Sequence, residues 1–262
     1  SVTVSIWANI HELQTYNRIV TKGLNLGDSY GSYQLITGSN LGDHFHDEPL
    51  FAMNTTEGYA VPDPDAGLPR MKWNHIVGTY DGKNVSLFYN GKLVAKTERA
   101  GDLLYDANPM AIGRDLFWNA SLKGDLDDLR IYNRALGADE VASLYARELK
   151  GGNDLGSGTH SLDSDGDGVS DYREIKDGTN PQSASSYNPL SRGLVAYYPF
   201  EGTANDESGY GNVGTVKGAI LARDRFGRNN SAYHFDGNTS VIEVEDSESL
   251  RPKQSVTVSI WA

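Results

Sequence analysis

The sequence predicts an all-β protein, a two-sheet antiparallel sandwich with one short helix and an acidic linker, and three observations predict it. Apolar residues recur at every second position in many short runs, the pattern of a strand with one buried face. Turn dipeptides such as Asp81-Gly82 and Asn90-Gly91 separate those runs, and 29 of the 262 residues are glycine. Helical spacing is clear in one window, residues 138–147.

The elements follow in order. In residues 2–8, Val2, Val4 and Ile6 alternate with Thr3, Ser5 and Trp7, which reads as a strand. Further strands are expected at 18–22 and 32–37. Residues 60–69, with three prolines, read as a surface loop because proline cannot donate to a central ladder. Residues 74–97 form a three-stranded meander, since Asn-Gly between two alternating apolar runs is a strong hairpin signal. Strands at 109–113 and 126–132 lead into the helix, whose first turn carries Asp139 and Glu140, favoured by the macrodipole, and whose packed face carries Val141, Leu144 and Tyr145. Residues 150–192, rich in Gly, Ser, Asn and Asp, have linker composition. Strands are expected again at 194–200, 213–217, 232–236 and 241–245.

The last eight residues, 255–262, repeat the first eight, Ser-Val-Thr-Val-Ser-Ile-Trp-Ala, at a distance of 254 residues. A sandwich has one slot for each strand, so one copy is expected to belong to a neighbouring module. The favoured reading is a window cut from an array of near-identical repeats. A circularly permuted chain with an overhang, and an assembly in which one chain's end completes another's sheet, are the other two readings.

Composition narrows the partners. Against 23 Lys+Arg stand 35 Asp+Glu, a formal charge of -12, which disfavours nucleic acid and suits a cation. There are no cysteines, so disulfides, thiolate metal sites and a Cys nucleophile are excluded. No apolar run approaches the length of a membrane-spanning helix.

The cation has a candidate site inside the linker. Asp163, Asp165 and Asp167 place carboxylates at alternate residues, Gly168 permits a sharp turn and Val169 offers its carbonyl. Asp171 reaches the ion directly or through water, and Glu174 closes the sphere with two oxygens. This is the spacing of a calcium loop, which acidity alone does not set. The segment before Asp163 is too rich in glycine to form the helix of a paired EF-hand. With Asp177-Gly-Thr-Asn-Pro181 the run instead resembles the thrombospondin type 3 repeats of secreted proteins, and the resemblance implies a structural calcium that stiffens the connection between domains.

A second resemblance covers the rest of the chain. Trp73-Asn-His75-Ile-Val-Gly-Thr-Tyr80, Phe88-Tyr-Asn90-Gly91 and Gly124-Asp-Leu-Asp127-Asp128-Leu-Arg130-Ile-Tyr132, with the helix behind them, resemble the concanavalin A-like, laminin G-like jelly rolls of bacterial surface proteins. The motifs that open such a domain lie late in this chain: strand 194–200, the turn Asp206-Glu-Ser208-Gly209-Tyr-Gly211-Asn212, and Phe235-Asp236-Gly237. The resemblance therefore implies that residues 1–148 are the C-terminal two-thirds of a jelly roll, 149–192 the linker, and 193–262 the N-terminal strands of the same or the next repeat. It also implies a second calcium between Asp206 and Asp127 or Asp128, against turn capping and plain surface placement of the same residues.

On this reading the chain is a non-enzymatic, extracellular repeat unit of a bacterial surface fibre or adhesin, stiffened by calcium and partnered by copies of itself. The alternative is a carbohydrate-binding, lectin-like module attached to a secreted glycoside hydrolase, with Trp118, Tyr59 and Tyr16 as a stacking surface for glycans. Catalysis is not expected. The only carboxylate run resembling a glycosidase pair, Glu243-Val-Glu245-Asp246-Ser-Glu248, breaks strand alternation at Asp246. His44 and His46, beside Asp43, Asp47 and Glu48, gather metal-ligand types but read as an exposed polar loop. Five Asn-x-Ser/Thr triplets, at Asn54, Asn84, Asn119, Asn229 and Asn238, match the glycan-acceptor pattern, which chance alone often produces.

Overall fold

The computed structural model describes residues 2–12, 17–23, 32–37, 39–41, 44–46, 48–64, 67–116, 120–149, 163–167, 169–251 and 257–261. In chain order the strands begin with β1 (Val2–Glu12), β2 (Asn17–Lys22), β3 (Tyr33–Thr37), β4 (Ser39–Leu41), β5 (His44–His46), β6 (Leu50–Thr55) and β7 (Gly58–Ala60). The meander follows as β8 (Trp73–Tyr80), β9 (Asn84–Tyr89) and β10 (Lys92–Glu98), then β11 (Met110–Ile112) and β12 (Lys123–Tyr132). Two helices, α1 (Ala138–Glu148) and α2 (Asp171–Asp177), precede β13 (Leu194–Tyr198), β14 (Gly214–Lys217), β15 (Ile220–Ala222), β16 (Ala232–Asp236), β17 (Val241–Val244) and β18 (Thr257–Trp261).

One sheet runs β10-β9-β8-β1-β12-β16-β15, with β13 also on β12, and the other runs β14-β17-β11-β2-β3-β6-β7. All their ladders are antiparallel, and β4 and β5 form a separate hairpin. The Asn90-Gly91 turn joins β9 to β10 with both residues at positive φ, 49° and 77°, as a tight hairpin demands. The strands between residues 194 and 244 enter both sheets of this chain: β13 and β16 pair with β12, and β17 pairs with β11.

The core lies between the sheets, where Tyr33, Phe51, Tyr80, Tyr198, Phe200 and Phe235 are buried. Packing is close enough that a Cβ on Gly78 of β8 would stand 2.1 Å from the Phe51 ring on β6. A second apolar cluster covers the outer face of the first sheet, where Val141 and Leu144 of α1 meet Val77, Phe88, Tyr132 and Leu194. Ile76 and Val77 thus face opposite clusters, the strand period of two serving both sides of β8.

The structure adds β4, β5, β6, β7, β15 and α2 to the expected elements, with His44–His46, expected in a polar loop, forming β5. Strand β6 escaped the alternation test because its burial is nearly continuous, so no polar face marks it. Strand β15 is an exposed edge with Ile220 62% accessible. Helix α2 sits inside the segment expected to be linker, short enough that no helical period develops.

The repeated ribbon is the most telling part of the topology. Between β8 and β12, β1 pairs with both neighbours, Thr3 opposite Thr79, Ser5 opposite Val77 and Trp7 opposite His75. Strand β18 pairs with the same residues in the same register, Thr257 opposite Thr79, Ser259 opposite Val77 and Trp261 opposite His75, and Trp261 also opposes Asp127 as Trp7 does. One set of ladder hydrogen bonds holds one strand, and strands lie about 4.8 Å apart. The two copies thus share their ladder partners on β8.

Candidate metal centre

The acidic loop lies against the sandwich. Asp163, Asp165 and Asp167 bring one carboxylate oxygen each within 4.8 Å of one another. Like charges at that distance repel by several kcal/mol in a partly dry site unless something positive stands between them. Three oxygens at the site, Asp165 Oδ2, Asp167 Oδ2 and Glu174 Oε2, are buried with no hydrogen-bond partner. Burial, and then the charges of Asp165, Asp167 and Asp171, raise the Glu174 carboxyl above the usual range, and burial also raises Asp167. Buried, unsatisfied, all-oxygen donors are what a hard divalent cation needs, so the residues present fit calcium.

The other predicted ligands have defined places. Val169 is 1% exposed, and its N–H donates to Asp167 Oδ1 at 2.8 Å. Asp171 is turned back onto Ser164, accepting from its backbone N–H and its hydroxyl, both at 2.7 Å. Gly168 lies outside the described residues. Glu174 reaches the site from the first turn of α2, whose cap is Ser170 and whose end is Gly178 at φ 72°.

Sequence reasoning missed how the loop docks. Ser170 Oγ donates to the Ser208 carbonyl at 2.7 Å, and Arg173 donates to Asp177 at 2.5 Å with its guanidinium 5.8 Å from the centre of the Tyr197 ring. Tyr210, packed against the core, has its hydroxyl pKa raised by burial and then by the charge of Asp163. The loop thus seats on the turn 206–212. No spacing rule announces such a contact, because Ser170 and Ser208 are polar residues of no special pattern.

That turn is held by Asp206, which accepts from the backbone N–H groups of Tyr197 (2.9 Å), Ser208 (2.8 Å) and Asn212 (2.9 Å). Asp127 and Asp128 face Arg225 instead, whose Nη1 donates to Asp127 and whose Nη2 donates to Asp128 at 2.9 Å. Tyr197 connects the two places, its hydroxyl donating to Asp128 at 2.8 Å. A guanidinium occupies the positive position between Asp127 and Asp128, and backbone donors take up the Asp206 oxygens.

Of the candidate stacking residues, Tyr59 sits half-buried on β7 opposite Asn54, while Trp118 and Tyr16 lie outside the described residues. Trp7 is a core residue, stacked on Tyr145 with ring centres 5.6 Å apart. An open cleft is lined by Glu57, Lys83, Asn84, Glu98, Arg99 and Ala100, with no aromatic among them. In the carboxylate run, Glu243 pairs with Lys217 of the neighbouring β14, and Asp246 pairs at 2.8 Å with Lys22, which is fully buried. A contact between Ser5 Oγ and His75 Nε2 is sealed in the core, both residues being fully buried. Strands β4 and β5 carry His44 and His46 in their hairpin, and Asp43 and Asp47 lie outside the described residues.

Fold and site together define a two-sheet jelly roll bearing a docked acidic loop. Residues 1–142 match the family model of the concanavalin A-like lectin/glucanases superfamily, to which the chain belongs, and residues 163–184 match the bacterial TSP3 repeat. Among solved structures the chain is similar to a protein of Bacteroides ovatus described as carbohydrate binding, with 17% identity and a TM-score of 0.49 over 94% of this chain and 54% of that one. It thus spans about half the length of that relative. It is also similar to the binding domain of Paraclostridial Mosquitocidal Protein 1, with 12% identity and a TM-score of 0.34 over 98% of this chain and 81% of that one. No curated protein matches the chain. Among the described residues no helix is long and apolar enough to cross a membrane.

Proposed function

We propose that the chain is a non-enzymatic unit of an extracellular, bacterial tandem array, in which a laminin G-like sandwich alternates with a calcium-clamped connector. The observation that carries this reading is the shared register: residues 3–7 and 257–261 oppose the same residues of β8. A module uses one such ribbon, so the surplus copy serves the next module, and residues 193–262 open one sandwich while residues 1–148 finish one. In this reading calcium binds Asp163, Asp165, Asp167, Val169, Asp171 and Glu174 and presses the loop onto the turn at Ser208. The direction in which the connector leaves the sandwich is then fixed, which a spacer in a fibre needs. The acidic surface keeps neighbouring fibres apart. The same clamp accounts for the unpartnered oxygens of Asp165, Asp167 and Glu174.

Limited proteolysis with calcium or with chelator tests the clamp. Calcium is expected to raise the melting temperature and to protect residues 150–192. Identical digestion and melting in the two conditions overturn it. The second reading, a carbohydrate-binding module, draws on the lectin membership of the family. A glycan array with the wild type and with Trp118→Ala and Tyr59→Ala decides it: no binding by the wild type removes that reading for this unit.

A further inference from the structure

We propose that the outer face of the first sheet carries a transition-metal site formed by His11, Asp125 and His234, separate from the acidic loop. The three residues come from three adjacent strands, β1, β12 and β16. The register places Asn9 opposite Asp125, and Asp125 opposite His234, so the three form one row across the sheet. His11 sits at a β-bulge, Ile10 opposing Gly124 and Glu12 opposing Lys123, and its ring reaches Asp125 on that same face. Ile10, Leu126, Tyr233 and Phe235, the neighbours of these residues along their strands, are buried in the core on the opposite face. The polar row is therefore set by strand register, with a bulge bringing in His11, and its side chains are partly exposed to solvent.

The geometry is that of a site drawn in around one carboxylate. His11 Nε2 stands 2.9 Å from Asp125 Oδ2, and His234 Nδ1 stands 2.6 Å from Asp125 Oδ1. The imidazole rings are 5.6 Å apart and tilted by 35°. One donor atom from each residue lies within 4.8 Å of the others. A tetrahedral ion with bonds of about 2.0–2.1 Å spaces its ligands about 3.3 Å apart, inside that range. The side chains are 26%, 14% and 33% exposed, partly shielded but reachable.

Asn9 supplies an independent pointer. Its Nδ2 is 3.2 Å from Asp125 Oδ2 and 3.1 Å from His11 Nε2, while its Oδ1 is buried with no hydrogen-bond partner. Rotating the carboxamide by half a turn satisfies that oxygen by turning it toward the ion. Two imidazoles and one carboxylate select zinc, cobalt, nickel or copper over calcium, whose preferred ligands are all oxygen. Three protein ligands leave a fourth position for Asn9, water or an external donor.

The test uses the full chain, stripped of metal and held in excess calcium so that the acidic loop does not compete. Titration with zinc alone, followed by calorimetry, is expected to show one equivalent bound, and cobalt in its place to give the visible absorption of a tetrahedral site. His11→Gln and His234→Gln are each expected to weaken zinc binding by at least about tenfold, the scale on which metal sites respond to loss of a defined contact. The double variant His44→Gln, His46→Gln is expected to bind as the wild type does. Melting curves of the variants in calcium, matched to wild type, separate loss of a ligand from loss of fold, and Asp125→Asn replaces any variant that unfolds. No zinc uptake, or uptake that survives His11→Gln and His234→Gln but not the His44 and His46 variant, overturns the proposal.

Discussion

Between the sheets, Phe51, Tyr80, Phe200 and Phe235 are held by the removal of apolar surface from water, and every neighbour adds to the stabilisation. In the loop, Asp163, Asp165 and Asp167 are gathered within 4.8 Å, and every neighbour subtracts from it until a cation arrives. The two regions touch at Ser208, so the sandwich gives the loop a seat without supplying the positive charge that the loop needs. Order in the first region is carried by the chain itself, and order in the second is borrowed from the solvent. The proposed array would accordingly have rigid beads and connectors whose stiffness depends on calcium.

The contrast breaks first at the core. Phe235→Ala is expected to cost the sandwich about 3–5 kcal/mol, because Phe235 is fully buried and Gly113 opposite it cannot close the gap. Chemical denaturation checks it, and the loss is expected to be the same with calcium and with chelator. A smaller effect sharpens the loop side. Calcium at about 100 times its dissociation constant stabilises by about 2.7 kcal/mol, and Asp167→Asn is expected to remove that increment while raising stability in chelator by relieving repulsion. A calcium titration followed by thermal melting of both proteins measures it.

The smallest effect is one of sign. Asp167 and Glu174 have carboxyl pKa values raised above their unfolded values, so without calcium the folded loop takes up protons more readily than the unfolded chain. Its stability then increases as pH falls from neutrality toward about 4, and declines as pH rises through the raised values. With calcium bound the carboxylates must stay ionised, and acidification destabilises instead. Melting temperatures at a series of pH values, with calcium and with chelator, are expected to run in opposite directions.

How much of this was legible follows from how local each signal is. The Asn90-Gly91 hairpin and the spacing of Asp163, Asp165 and Asp167 are written within a few consecutive residues; the hairpin and the gathering of those three carboxylates were readable there. The β6 strand was not, because Leu50, Phe51, Ala52 and Met53 are all buried and leave no polar face to count. Helix α2 needed Ser170 to cap it and Glu174 to face the loop, facts of the fold rather than of its period. The row of His11, Asp125 and His234 is assembled by register across positions over a hundred residues apart, and composition carries no trace of it. The repeated ribbon was visible as a string of letters, but only the ladders show both copies opposing Val77 and Thr79.

Deleting the ribbons in turn tests that shared register most directly. Chains lacking residues 1–8, lacking residues 255–262, or lacking both are compared by melting temperature and denaturant midpoint. The account predicts that either single deletion leaves a cooperatively folded sandwich, since the remaining copy fills the place between β8 and β12, and that the double deletion abolishes cooperative unfolding. A double deletion as stable as the single ones, or a single deletion as damaging as the double, contradicts it.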